Sequence, residues 1–352
     1  MFRINTLYPK ERQQMFFKTM IRGLLAVALV ASAVAAQANQ ITIVTVPVGN
    51  AGNAMDYDNT WCGGVSYAYN IGKYEVTAGQ YTAFLNTVAT TDTYALYNSN
   101  MSNTQFGSGI TRSGVSGSYS YTVDTNFVNR PVNYVSFWDS CRFANWLGNG
   151  QPTGAQGAGT TETGAYTLTS DGIASNTITR NTGAIWAVTS ENEWYKAAYY
   201  KGGGINAGYW MLPTGSNAYP GQDMADPLGN NANYFSWDAS YPINGTNYTT
   251  VGGEYQNSAS PYGTFDQGGN VSEWNEWIPN PVARGVRGGS FHDFAGNMTD
   301  SFRDSKVPTY EGYDIGFRVS RVSAVPEPST LALLGTAALG LLGFALHRRK
   351  PV

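Results

Sequence analysis

The chain has 352 residues, 14% of them aromatic and only 13% charged, with 41 glycines, two cysteines and a formal net charge of −3. Residues 39–325, which lie between two terminal segments of different character, are enough for one large core or two fused subdomains. They carry 13 Lys and Arg against 22 Asp and Glu, and this acidic balance excludes nucleic acid as a natural partner.

At the start, Lys18 and Arg22 precede an uncharged run over residues 23–36, which ends in Ala36-Gln37-Ala38. A charged start, a short apolar core and small residues at the end are what a signal peptidase reads, so residues 1–38 are expected to be a cleaved signal peptide. Met15 is an alternative start codon. Export places the two cysteines, Cys62 and Cys141, in an oxidising compartment. That makes a disulfide between them one expectation and two buried, unpaired thiols the other.

Three segments then share one grammar. Residues 71–76 read as a strand, and Thr77 with Gln80 forms a capping box ahead of Tyr81, Phe84, Leu85 and Val88 at helical spacing. Residues 129–135 read as extended, and Ser136 with Asp139 opens a helix that buries Phe137, Cys141, Ala144 and Leu147. Residues 187–189 lead into a third box, Ser190 with Glu193, ahead of Trp194, Ala197 and Ala198. All three helices are expected to be amphipathic. The polar stretches 98–126 and 148–182 between them read as surface decoration or short hairpins, and from Pro213 onward the pattern is one of short strands and turns.

The end of the chain orders three elements: Pro326-Glu327-Pro328, an uncharged run over residues 331–346, and Arg348-Arg349-Lys350. Sixteen residues at about 1.5 Å each give roughly 24 Å, short of a hydrocarbon core of about 30 Å, so the run is a marginal transmembrane segment pinned by its basic end. The arrangement over 326–352 resembles the PEP-CTERM sorting signal of Gram-negative bacteria. That resemblance implies an exosortase as processing partner, a transient membrane anchor, and display at the cell surface or release into an exopolysaccharide matrix.

The densest segment runs through Asp266-Gln267-Gly268-Gly269-Asn270-Val271-Ser272-Glu273-Trp274, then Arg287-Gly288-Gly289-Ser290-Phe291, and closes on Gly316-Phe317-Arg318-Val319. Together with Lys73-Tyr74-Glu75-Val76-Thr77, Pro131 to Ser136 and Thr189 to Trp194, these strings resemble the formylglycine-generating enzyme, or sulfatase-modifying factor, family over residues 65–322. The resemblance implies an α+β fold, complex and mixed, of the C-type-lectin-like kind with little regular secondary structure.

Activity does not follow from fold and is checked residue by residue. Oxidase members of the family bind copper through two cysteines shortly after the Gly-Gly-Ser string. Here residues 288–321 contain none, and Phe291, His292, Asp293 and Phe294 stand at the expected place. Related iron enzymes use three histidines, but this chain has only His292 and His347. Neither copper nor iron is therefore expected. Calcium is expected from the resemblance: Asp266 and Glu273 side chains with the Gly269 and Val271 carbonyls in one site, Asn233 and the Tyr234 carbonyl in a second, all oxygen ligands suited to a hard cation.

His292, Asp293 and Arg303 are candidate catalytic residues, by acid/base and anion-binding chemistry. Arg287, Arg303 and Arg318 read either as a site for a carboxylate or sulfate or as structural ion pairs. The leading expectation is an exported binding or structural module without the catalytic cysteine pair, meeting exopolysaccharide or another surface protein. The alternative is an enzyme of altered chemistry in the same groove.

Overall fold

Each of the three expected helices begins at its capping box. Thr77, Ser136 and Ser190 accept from the backbone N–H three residues on, while Gln80, Asp139 and Glu193 reach back to the cap N–H. The computed structural model describes residues 40–204, 207–236 and 247–322, so the signal-peptide and sorting-signal readings at 1–38 and 326–352 lie outside the described residues. Residues 43 onward cluster as one unit, apart from the first 42; of the latter only 40–42 are described, without regular structure.

In chain order the elements are β1 (Thr45–Val48), β2 (Tyr69–Gly72), α1 (Ala78–Val88), β3 (Ile110–Ser113), β4 (Ser120–Val123), α2 (Phe137–Gly148), α3 (Ser170–Ala174) and β5 (Trp186–Val188). They continue with α4 (Glu191–Tyr199), β6 (Ser272–Trp274), β7 (Arg284–Arg287), β8 (Asp304–Lys306), β9 (Ile315–Phe317) and β10 (Val319–Arg321). One sheet has the order β1-β2-β10-β5, a second β8-β7-β6-β9, and β3 with β4 makes a hairpin. In the second sheet β6 runs antiparallel to β7 and parallel to β9. The fold is α+β, with short strands and long connections. The hairpin falls in the stretch read as surface decoration or short hairpins, and the short strands after Pro213 are the second sheet together with β10 of the first.

Two expectations change. Residues 129–135 do not form a strand: only Pro131 bridges, to Thr77, and the Asn133 side chain is used to tie down the Phe106 and Tyr313 carbonyls, each at 2.6 Å. Nor are all three helices amphipathic. The first is, burying Tyr81, Phe84, Leu85 and Val88. The helix α2 is buried from Phe137 to Leu147, its polar groups included, and α4 buries every residue except Asn192. This is possible because most of the buried polar groups are paired, Trp138 Nε1 being an exception. Arg142 grips Glu162 at 2.8 and 3.1 Å, and Asn145 donates to the Thr161 and Tyr166 carbonyls.

The core is aromatic. Phe84, Phe143 and Trp146 pack with ring centroids 5.2–5.7 Å apart between α1 and α2, and Phe143 meets Phe317 of β9 edge-on. Trp194, Tyr195 and Tyr199 of α4 form a separate cluster with Cys62. The helix α2 thereby packs on β5 of the first sheet and reaches β9 of the second through Phe143.

Candidate functional site

The site grows from the turn after β7. Gly288 and Gly289 adopt φ of +97° and +65°, and a side chain on Gly288 would strike the Gln267 carbonyl, so only glycine passes here. The turn delivers Ser290, whose N–H and Oγ–H both donate to Asp293 Oδ2, at 2.9 and 2.7 Å. Asn297 Nδ2 donates to Asp293 Oδ1 at 3.3 Å, and His292 N–H to Ser290 Oγ at 3.2 Å. Asp293 therefore fastens its own turn with both oxygens.

His292 is exposed and stands edge-on to Tyr313 at 5.4 Å, in an aromatic field in which Phe291 stacks on Tyr248 at 5.5 Å and Tyr248 on Phe106 at 4.8 Å. Beside it a polar cleft of about 340 Å³, its open mouth included, is lined by Asp293, Asn297, Asp304, Lys306 and Asp314 among others. Three carboxylates face the Lys306 ammonium there, and Arg287, which also lines the cleft, is paired with Glu191. Burial works against the Lys306 charge, but its contact with Asp304 at 2.9 Å and the charges of Asp304, Asp314 and Asp293 outweigh this and raise its pKa. Burial, then the nearby Asp293, pushes the Asp314 carboxyl up.

The arginines are not in this cleft as free anion receptors. Arg287 Nη2 and Arg303 both bind Glu191, the first at 2.8 Å, and Arg303 lies 3.7 Å over the Trp277 ring. Arg318 pairs with Glu273, both with no side-chain exposure. Of the two readings given to the arginines, ion pairing is the one the structure bears out. The candidate set His292, Asp293 and Arg303 is accordingly split: the first two are neighbours in one turn, and Arg303 is spent on Glu191.

Cys62 and Cys141 are free and buried, which corrects the expectation of a disulfide. They sit in different parts of the core. Cys62 packs against the α4 aromatics with Arg287 Nη2 3.8 Å from its sulfur, whereas Cys141 lies on α2. Burial raises both thiols; at Cys62 the charge of Glu191 adds to it.

The two expected calcium segments meet. Asn270 N–H donates to the Asn233 carbonyl at 2.8 Å, and Gly269, at φ +83°, lies so close that a side chain would be 2.2 Å from that oxygen. The fit to a hard cation is divided. Asn233 Oδ1 is buried without a hydrogen-bond partner, and Asp266 is half-buried with Gly253 N–H donating to its Oδ2 at 2.6 Å; an amide oxygen and a carboxylate are donor types that suit such an ion. Glu273, in contrast, has its oxygens held by Arg318 and by Trp194 Nε1 at 2.7 Å, and the Tyr234 carbonyl accepts from Gln222 at 2.5 Å. Among the described residues no three His, Cys, Asp or Glu side chains converge as a metal centre.

Glu75 was missed as a site residue. It is buried beside Asp266, one oxygen accepts from Asn270 Nδ2 at 3.0 Å, the other has no partner, and burial followed by the Asp266 charge drives its pKa well up. The available signal was a carboxylate between Tyr74 and Val76 in a segment read as a strand.

A family model for the sulfatase-modifying factor enzyme 1-like domain matches residues 31–323. The chain belongs to that family. A second model, the PEP-CTERM protein-sorting motif, matches residues 324–350, which marks this family member for export to the Gram-negative envelope and for exosortase-type processing. No curated protein matches the chain. Among solved structures, it is similar to CarF, at 20% identity over 81% of this chain and 100% of that one, with a TM-score of 0.47. It is also similar to Treponema denticola variable protein 1, at 17% over 80% and 97% with a TM-score of 0.47. PvdO from Pseudomonas aeruginosa matches at 18% over 80% and 91%, with a TM-score of 0.43. No helix among the described residues is long and apolar enough to cross a membrane.

Proposed function

We propose that residues 39–325 act as a non-catalytic binding module of the cell surface or exopolysaccharide matrix, on a scaffold whose oxidase members make formylglycine. One observation carries the reading: the turn that follows Gly289 offers Ser290, Phe291, His292 and Asp293 in place of a thiol, while both thiols of the chain are buried elsewhere. A copper site needs exposed thiolates at that turn. The aromatic field around His292 and the acid-rich cleft beside it support binding of an uncharged or cationic group rather than a sulfate.

A structural calcium ion belongs to the proposal, with Asn233, Tyr234, Asp266, Gly269, Val271 and Glu273 as the family's positions. The unpartnered Asn233 oxygen supports it, and the Glu273–Arg318 pair argues for a ligand set that omits Glu273. The sorting signal is proposed to anchor the chain through residues 331–346 until it is cut.

The test is incubation of the full-length chain, purified in mild detergent, with a sulfatase-derived cysteine peptide, copper and oxygen. Unchanged peptide mass is the expected result. Conversion to formylglycine would overturn the reading, and turnover of another substrate lost in Asp293→Ala would favour an enzyme of altered chemistry.

A further inference from the structure

We propose that Tyr57 and Trp61 form a preset aromatic platform for the ring face of a neutral sugar, an inference that rests on the binding-module reading and gives it a ligand class and a second site. The platform lies on the loop between β1 and β2, away from the turn after β7 in sequence.

Trp61 has φ of +58°. For a bulky side chain this left-handed conformation is an outlier, because Cβ crowds the carbonyl; glycine or asparagine takes it with far less strain. Strained aromatics are normally compensated by burial, but the Trp61 side chain is 68% exposed. The core gains little from it.

The surrounding structure nevertheless enforces the conformation. Asp56 N–H donates to the Cys62 carbonyl and Trp61 N–H to the Asp56 carbonyl, both at 2.8 Å, closing the loop on itself. The buried Asp56 carboxylate accepts from Tyr195 of α4 at 2.6 Å and from Asn59 at 3.2 Å. Asn59 donates also to Asp300 at 2.7 Å. The loop is thus clamped to two distant parts of the fold, which is the situation in which local strain marks function.

What the clamp presents is a pair of rings. Tyr57, 58% exposed, meets Trp61 edge-on, with centroids 5.2 Å apart at 89°. The two rings brace each other, and both remain largely exposed. An aromatic face is electron-rich and attracts the C–H hydrogens of a pyranose, while sugar hydroxyls stay with water or reach the exposed Asp58 carboxylate. Holding both rings before binding removes the cost of ordering them. Charge narrows the ligand: residues 51–62 contain Asp56 and Asp58 and no Lys or Arg, which disfavours uronate polymers and anionic bilayers alike.

The experiment is affinity electrophoresis of the full-length chain in mild detergent through gels containing galactomannan, soluble starch or polygalacturonate, with flotation on phosphatidylglycerol vesicles as a parallel arm. The wild type should be slowed at least twofold by one neutral polysaccharide and not by polygalacturonate. Tyr57→Ala should weaken the retardation. Trp61→Gly should abolish it with Tm no lower than wild type, since glycine accepts the backbone angle. Retardation unchanged in Trp61→Gly would overturn the platform while leaving a binding module intact. Absence of retardation on both neutral gels, or vesicle binding that depends on Trp61, would also overturn it; failure of the non-catalytic reading is seen separately, in the peptide assay.

Discussion

Arg318 and Glu273 form a two-point ion pair wholly removed from solvent, with Nε to Oε2 at 2.6 Å and Nη2 to Oε1 at 2.5 Å. Glu75 and Asp266 lie within its electrostatic reach, so one guanidinium acts on three carboxyl groups, two of them buried. Removing one side of a buried pair costs about 3–5 kcal/mol, because the partner stays buried and unpaired. Arg318→Ala is expected to lose that much in urea unfolding, and Arg318→Met combined with Glu273→Met to recover more than half of it. Equal losses in the single and double variants would show that packing, not charge, is at stake.

The pH dependence has two limbs. Burial alone would raise Glu193, but the Arg180 charge and hydrogen bonds, with those from Ser190 and Ser320, hold it at about 2. Its folded pKa is depressed, so its stabilisation is present above the unfolded value and disappears as pH falls from about 4.5 towards 2. Asp139 and Asp266 go the other way: burial pushes them to about 7 and about 6, and the native state holds their protons where the unfolded chain has released them. Stability should therefore fall as pH rises from about 4 through 7, giving a maximum at about pH 4 in Tm against pH. Asp139→Asn should flatten the alkaline limb without moving the acid one.

Calcium is expected to raise Tm, since an ion bound only by the native state stabilises it by about 2.7 kcal/mol at a hundred times its Kd. Asn233→Ala should remove that response, and Glu273→Gln should leave the calcium increment in place although the protein is weaker. Identical melting curves in millimolar calcium and in chelator would reject the ion.

Replacing Pro326, Glu327 and Pro328 by alanines should trap the chain in the inner membrane, because processing and release depend on that string being read. Fractionation with intact-mass measurement checks this. A wild-type product that keeps residues through Val352 would falsify cleavage.

What could be read from the sequence was local. The three capping boxes, Thr77 with Gln80, Ser136 with Asp139 and Ser190 with Glu193, span four residues each, and the helices start where they say. Partners far along the chain could not be read. Glu191 answers Arg287 from 96 residues away and Arg303 from 112, so arginines that look like an anion site in the sequence are already neutralised in the fold. The expected strand at 129–135 failed for a similar reason: its Asn133 is taken by carbonyls 27 and 180 residues distant. Cysteine pairing failed because parity says nothing about distance. The platform at Trp61 was invisible, since backbone strain leaves no mark on composition.

The strand β10 sits between β2 and β5, with Ser320 opposite Ile71 on one side and Ala187 on the other. The centre of the first sheet is thus supplied by the last residues before the sorting motif. During secretion, β1 and β2 emerge first and can pair with each other, but the strand that joins them to β5 arrives only after nearly the whole domain. Pairing between strands so far apart along the chain is intrinsically slow, because the entropy of closing the long loop is lost before the contacts form. A truncation that stops short of Val319 should therefore yield not a smaller folded domain but a substrate for envelope proteases.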